Sequence, residues 1–140
     1  MVTSLILALT VGTGVLTAQQ TVFTQINDER RSDGIASLTL DSCLTAAASE
    51  RANDMRERNY FAHLSPDGHL PWDEMRADGC AFHYAAENIA EAPDPLFAVT
   101  ELWNSPPHRR NTLDAHYRKV GIGTATRPDG TIVFVEEFSD

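Results

Sequence analysis

The 140-residue sequence predicts a single α+β domain in which helices pack on a small antiparallel β-sheet. Two observations support this fold class. Apolar residues recur at helical spacing from about residue 21 to residue 104, and the clearest period-two alternation begins at Lys119. Helices and strands are therefore segregated along the chain, which argues against the βαβ units of a parallel sheet. No internal repeat, low-complexity tract or linker marks a domain boundary within residues 19–140.

The first predicted helix runs from Thr21 to about Asp33. Val22, Phe23 and Ile26 give it one apolar face, and Gly34 follows as a stop signal. This helix should therefore pack one side against the rest of the domain.

Residues 35–40 form a short connector to a second helix, which Asp41 or Ser42 caps and which runs to about Asn59. Its predicted apolar face consists of Leu44, Ala47, Ala48, Ala52 and Met55. Its predicted exposed face consists of Glu50, Arg51, Asp54, Arg56, Glu57 and Arg58. The second helix is thus amphipathic.

Two shorter helices follow. The SPDG sequence at residues 65–68 is a turn, and Pro71 begins a third helix that ends at Gly79. Asp94 and Pro95 begin a fourth helix. Its apolar face consists of Leu96, Val99, Leu102 and Trp103.

The strands cluster near the end of the chain. Residues 119–126 (KVGIGTAT), the RPDG turn and residues 131–138 (TIVFVEEF) form a predicted β-hairpin. Residues 84–91 (YAAENIAE) are either a third strand or an extended loop. This segment is mostly small and apolar, yet Glu87 lies at its centre, where a buried carboxylate requires a partner.

The composition is that of an acidic globular protein. Hydrophobic residues make up 42% and charged residues 22%, which are ordinary values for a folded domain. The formal net charge is −9, and Lys119 is the only lysine. We therefore expect no nucleic-acid partner, because such a partner requires a basic surface.

Residues 1–18 (MVTSLILALTVGTGVLTA) contain no charged side chain. Their apolar stretch of about 14 residues is shorter than the about 20 residues that span a bilayer. The segment is typical of the apolar part of a secretory signal peptide with a cut after Ala18. It departs from that pattern because no Lys or Arg precedes the apolar stretch, and Leu16 occupies a position that usually holds a small residue. A hydrophobic N-terminal helix or a wrongly assigned start is the alternative.

Cys43 and Cys80 are the only cysteines. If the chain is exported, one disulfide between them is expected, and it would contribute roughly 3–4 kcal/mol in the chain-entropy model. Two separate buried thiols are the alternative. The absence of a C-x-x-C sequence argues against a zinc ribbon or a thioredoxin-like site.

Known catalytic motifs with a fixed sequence are absent: there is no G-x-S-x-G, H-E-x-x-H or phosphate-binding loop. Of the five histidines, His63 and His108 follow helices and lie where side chains can converge on a cleft. His69 and His116 are expected to be solvated, and His83 is ambiguous. Spacing alone favours a structural role for each histidine.

Three motifs, in order, resemble the CAP superfamily of cysteine-rich secretory, antigen 5 and pathogenesis-related proteins, in the form of its short bacterial members. They are YFAHLSPDGHLPWDEM, AENIA and LWNSPPHRRNTLDAHYRKVGIG. The ordered match covers about residues 22–138. The resemblance implies an α-β-α sandwich with a small antiparallel sheet and a central cleft.

In many members of that family, two histidines and two acidic residues meet in the cleft and bind a divalent cation such as zinc. The residues that match are His63, Glu87 and His108. Two imidazoles and one carboxylate form a common ligand set for zinc. The alternative is a metal-free hydrogen-bonded cluster that holds the helices on the sheet.

Two departures from the family pattern bear on the site. Ala86 precedes Glu87 where the family often has glycine, and no acidic residue lies between Trp103 and His108. The fourth cleft residue is therefore missing or comes from elsewhere. The candidates are Glu101, Glu136 and Glu137.

The resemblance implies a secreted or extracellular binding domain, with envelope association also open. Its expected partners are a lipid, a sterol or a cell-envelope component, and we expect a monomer. The alternative is a metal-dependent hydrolase that cleaves peptide or envelope polymer with Glu87 or a metal-bound water as the base.

Overall fold

The computed structural model describes residues 16–140, so residues 1–15 of the predicted signal segment lie outside the described part of the chain. Five helices and four strands are formed by residues 16–140. They are α1 (Ala18–Ser32), β1 (Thr39–Leu40), α2 (Ser42–Glu57), α3 (Pro71–Ala77), β2 (Ala85–Ala92), α4 (Pro95–Asn104), α5 (Pro106–Leu113), β3 (Lys119–Thr126) and β4 (Ile132–Ser139). None of these helices is long and apolar enough to cross a membrane.

The sheet has the strand order β1-β3-β4-β2, which places β2 at one edge. The predicted hairpin of β3 and β4 is confirmed, and β2 pairs antiparallel with β4, so residues 85–92 are a strand rather than a loop. The two-residue strand β1, within the predicted connector, pairs parallel with β3 and makes the sheet mixed.

The sheet lies between two layers of helices, which confirms the α-β-α sandwich. Side chains alternate between the two faces of each strand. On β4, Val133 and Val135 pack against α2, whereas Phe134 and Phe138 pack against α1 and α4. Helix α3 joins the α2 layer through Met75.

Helix α2 lies unusually close to β3 because two glycines face it. A Cβ atom on Gly121 would lie 2.1 Å from the backbone carbon of Leu44. A Cβ atom on Gly123 would lie 2.1 Å from the backbone oxygen of Ala48. Only glycine permits this backbone approach.

Helix α1 begins earlier than the sequence pattern predicts, since Thr17 caps it. The Thr17 side chain accepts a hydrogen bond from the backbone N–H of Gln20, and Gln20 accepts one from the backbone N–H of Thr17. A cut after Ala18 would remove this cap.

Helix α5 is absent from the sequence prediction, which treats the Ser-Pro-Pro sequence as a break. Pro106 and Pro107 occupy the first turn of α5, where a missing backbone N–H is tolerated. The buried side chain of Arg30 on α1 donates to the carbonyl groups of Thr112 and Asp114, which end this helix.

The disulfide between Cys43 and Cys80 is present, as predicted for an exported chain. It joins the first turn of α2 to the segment that follows α3. The bond therefore ties the short helix α3 to the long helix α2 on one side of the sheet.

Candidate functional site

Glu87 is buried on β2 and meets His63 at the edge of the sheet. The Nδ1 atom of His63 lies 2.7 Å from Oε1 of Glu87, and the His63 side chain is half exposed. The structure thus brings together two of the three predicted site residues, one from the loop after α2 and one from β2.

Arg51 is the partner of Glu87 that the sequence analysis missed. Its fully buried guanidinium donates from Nε to Oε2 of Glu87, from Nη1 to Glu74 at 2.8 Å and from Nη2 to the carbonyl of His63. We call Arg51, Glu74, Glu87 and His63 the ionic cluster. The cluster holds the loop that carries His63 against α2 and β2.

The prediction that Arg51 lies on the exposed face of α2 is wrong. The signal that could have located it is its spacing: Arg51 follows Ala48 by three residues and precedes Met55 by four, which places it in the buried stripe. Burial opposes the charge of Arg51, but the nearby carboxylates of Glu87 and Glu74 hold its pKa above the usual value.

His108 lies in the first turn of α5, not in a loop, and its side chain is partly buried. Its Nδ1 atom is 2.7 Å from Oγ of Ser105. Burial lowers the pKa of His108, and the charge of the nearby His63 lowers it further. His63 bonds β2 from the α2 side, whereas His108 lies on α5.

Asn88 holds the backbone of His108 from the opposite face of β2. Its Nδ2 donates to the carbonyl of His108 at 3.2 Å and to Oε2 of Glu136 at 3.0 Å. Its Oδ1 accepts from Nδ2 of Asn111 at 2.8 Å. We call Asn88, Asn111 and Glu136 the amide network, and it fixes α5 relative to the sheet.

The three candidates for a fourth acidic residue lie in different places. Glu136 is buried in the amide network, and burial raises its pKa to about 7 even though the bond from Asn88 opposes this. Glu137 pairs with Glu87 across β4 and β2, and burial followed by the charge of Glu87 raises its pKa to about 9. Within residues 16–140 neither oxygen of Glu137 has a hydrogen-bond partner. Glu101 lines a small cavity beside His108.

The remaining histidines lie elsewhere. His83 is 3.1 Å from Asp140, and His116 is 2.7 Å from Asp114. Both imidazole rings are exposed. The Ala86 backbone is not strained, because Asn59 is the only non-glycine residue with positive φ in the described part of the chain. Replacing glycine by alanine before Glu87 is thus compatible with the strand.

The geometry limits how a metal ion could be held. Within residues 16–140, no group of three His, Cys, Asp or Glu side chains is arranged to hold a metal ion. Both oxygens of Glu87 are taken by Arg51 and His63. His63 and His108 form their ring hydrogen bonds through Nδ1, so the Nε2 atom of each ring is left to ligate a cation. A cation would therefore have to be held by these two imidazoles, with Glu87 orienting His63 from behind.

Known proteins resemble this chain over most of its length. The sequence model of the cysteine-rich secretory protein family matches residues 23–138. The protein YkwD of Bacillus subtilis (strain 168) is 36% identical over 98 residues, which cover 69% of this chain. The same residues cover 38% of YkwD, so this chain spans well under half the length of that relative.

Two solved structures share the fold. An extracellular protein containing an SCP domain from Bacillus anthracis str. Ames superposes with a TM-score of 0.81 at 26% identity, covering 91% of this chain and 45% of that one. An outer surface protein from Borrelia burgdorferi superposes with a TM-score of 0.82 at 21% identity, covering 88% of this chain and 92% of that one. At this second level of identity the likeness shows the fold alone.

Proposed function

Because the chain belongs to the cysteine-rich secretory protein family, we propose that it is a secreted domain that binds a ligand in the cleft between His63 and His108. The extracellular protein of Bacillus anthracis that shares its fold supports a location outside the cell, where the domain would be free or attached to the envelope. Under this proposal the partner is a lipid, a sterol or a cell-envelope component, and the domain is a monomer.

The observation that carries this proposal is that both carboxylate oxygens of Glu87 are already bonded. A general base must be free to accept a proton from a reacting group. Glu87 instead neutralises the buried guanidinium of Arg51 with one oxygen and bonds His63 with the other. Protonating this carboxylate would leave Arg51 buried without its main counter-charge. The arrangement therefore argues against Glu87 as a catalytic base and supports a binding role.

A divalent cation such as zinc belongs to the proposal. His63 and His108 would hold it through their Nε2 atoms, and Glu87 and Ser105 would keep the two rings oriented from Nδ1. A bound zinc ion would act as a Lewis acid toward an anionic or carbonyl group of the ligand. Because two imidazoles make a smaller ligand set than a structural zinc site, we expect weaker and reversible binding.

Calorimetric titration of zinc into the purified protein after chelator treatment tests this proposal. We expect binding by the wild type and loss of binding in both His63→Ala and His108→Ala. His83→Ala is the matched control, because His83 also has its Nδ1 next to a carboxylate but lies outside the cleft. Absence of wild-type binding, or equal binding by all variants, would overturn the cation site. Peptide cleavage that depends on both His63 and His108 would support a hydrolase instead.

A further inference from the structure

A cavity of about 220 Å³ lies beside His108 at the edge strand β2. It is smaller than the roughly 300–1,000 Å³ of sites that enclose a whole drug-sized molecule. Phe61, which is 42% exposed, forms part of its wall and leaves it open to solvent. The cavity therefore suits one side-chain-sized group that remains attached to a larger molecule outside.

The walls of the cavity are mostly apolar, and Ser105 and His108 also line it. Phe61 comes from the loop after α2, Ile89 from β2 and Leu102 from α4, so three separate elements hold them in place. An aliphatic chain placed between these side chains would be removed from water, which is favourable in proportion to its buried area.

The rim of the cavity is acidic, and its two carboxylates differ. Glu91 is 2.7 Å from Nε of Arg127, so its charge is already compensated. Glu101 is exposed and forms no ion pair among the residues of the described chain, 16–140. Glu101 therefore attracts a cation at the mouth of a mostly apolar cavity.

We infer that this cavity is a subsite for a lysine side chain of a polypeptide ligand, with the aliphatic stem between Phe61, Ile89 and Leu102 and the ammonium group at Glu101. The inference rests on the proposed function, and it narrows the partner to a cell-envelope component that carries a lysine side chain. The net charge of −9 on the whole chain favours the approach of such a basic ligand.

NMR titration with N-acetyl-lysine amide and N-acetyl-norleucine amide tests the inference. Norleucine has an uncharged side chain of similar length. We expect the lysine compound to shift the amide signals of Ile89, Leu102 and His108 and to bind roughly two- to fivefold more tightly, the range of an exposed ion pair. The preference should disappear in about 1 M salt, which screens exposed charges.

Variants separate the two parts of the subsite. Glu101→Gln should abolish the preference for lysine while leaving norleucine binding unchanged, and Phe61→Ala should weaken both. Glu57→Gln is the control, because Glu57 is an exposed carboxylate of α2 away from the cavity. Equal binding of the two compounds, or no shift at the three cavity residues, would overturn the inference.

A third probe, n-butylamine, distinguishes the source of the alkylammonium group. Binding as tight as that of the lysine compound would overturn the assignment to a polypeptide. Zinc titration of the same Glu101→Gln preparation separates failure of the subsite from failure of the proposed function. Intact zinc binding without any lysine preference in the wild type would refute only the subsite.

Discussion

The two faces of the sheet bury polar side chains beside the same strand in different ways. On the α2 face, the ionic cluster surrounds Glu87 with a buried guanidinium and the half-exposed ring of His63. On the opposite face, the amide network surrounds the next residue, Asn88, with neutral or weakly ionised groups. Adjacent residues of β2 thus hold the two site histidines by ionic contacts on one face and by amide hydrogen bonds on the other.

The difference predicts unequal sensitivity to substitution. Removing one partner of a buried ion pair leaves an uncompensated charge, whereas removing an amide partner leaves one unsatisfied dipole. The loop that carries His63 should therefore depend strongly on Arg51, and α5 with His108 should depend more weakly on any one member of the amide network.

The largest expected effect is that of Arg51→Met. We expect a loss of about 3–5 kcal/mol in the free energy of unfolding, because the Glu87 carboxylate would remain buried without its counter-charge. Urea unfolding followed by circular dichroism measures this loss. Arg56→Met is the matched control on the same helix, because within residues 16–140 Arg56 pairs only with the exposed Glu57, and it should change stability by less than about 0.5 kcal/mol. Similar losses for the two variants would show that the ionic cluster adds no special stability.

The second-largest expected effect is a pH dependence of stability that differs between the two faces of the sheet. The folded state keeps a proton on Glu137 up to about pH 9 and on Glu136 up to about pH 7, whereas both release it near their ordinary pKa of 4.5 when unfolded. Both groups therefore stabilise the fold fully below about pH 4.5, and this contribution is lost as pH rises through each folded pKa.

We expect Glu137→Gln to remove the loss of stability between about pH 7 and 9, a difference of roughly 2 kcal/mol at about 1.36 kcal/mol per pKa unit. Glu136→Gln should remove only the share of Glu136 in the loss between about pH 4.5 and 7, and the loss above about pH 7 should remain. Urea midpoints measured from about pH 5 to 9 would test this. If the urea midpoints of the two variants changed equally with pH above about pH 7, Glu137 would not have the higher pKa.

The smallest effect is that of Asn111→Ala. This change removes the donor to Oδ1 of the buried Asn88, and we expect a loss of about 1 kcal/mol in the free energy of unfolding. Asn53→Ala is the control, because in the part of the chain that the structure describes the Asn53 side chain bonds only to the carbonyl of Ser49 within its own helix. A loss for Asn111→Ala as large as that for Arg51→Met would remove the distinction between the two faces.

The sequence predicted most of the fold because its elements have local signals. Leu44, Ala47 and Met55 recur at helical spacing in α2, and alternating apolar residues mark the β3–β4 hairpin. Helix α5 was missed because two consecutive prolines usually interrupt a helix, and only their position in its first turn makes them acceptable. Strand β1 was missed because two residues carry no periodicity.

The site was predictable only in part. The structure joins two members of the predicted set, His63 and Glu87, and places the third, His108, on α5. The contacts of Arg51 join residues from α2, α3 and β2, and no local pattern records such a long-range arrangement. Whether His63 and His108 hold a cation stays a prediction.

Gly121 and Gly123 have a further consequence for how the sheet aligns. A shift of β3 by one residue would place Val120 and Ile122 where Leu44 and Ala48 leave no room for a Cβ atom. The glycine pair thus selects the strand register, because the backbone of α2 leaves room for only one alignment of β3 beneath it. Since β4 pairs with β3 and β2 pairs with β4, the same alignment brings Glu137 and Glu87 near Arg51. The missing Cβ atoms of Gly121 and Gly123 on β3 therefore help to fix the position of the Glu87 carboxylate on β2, two strands away.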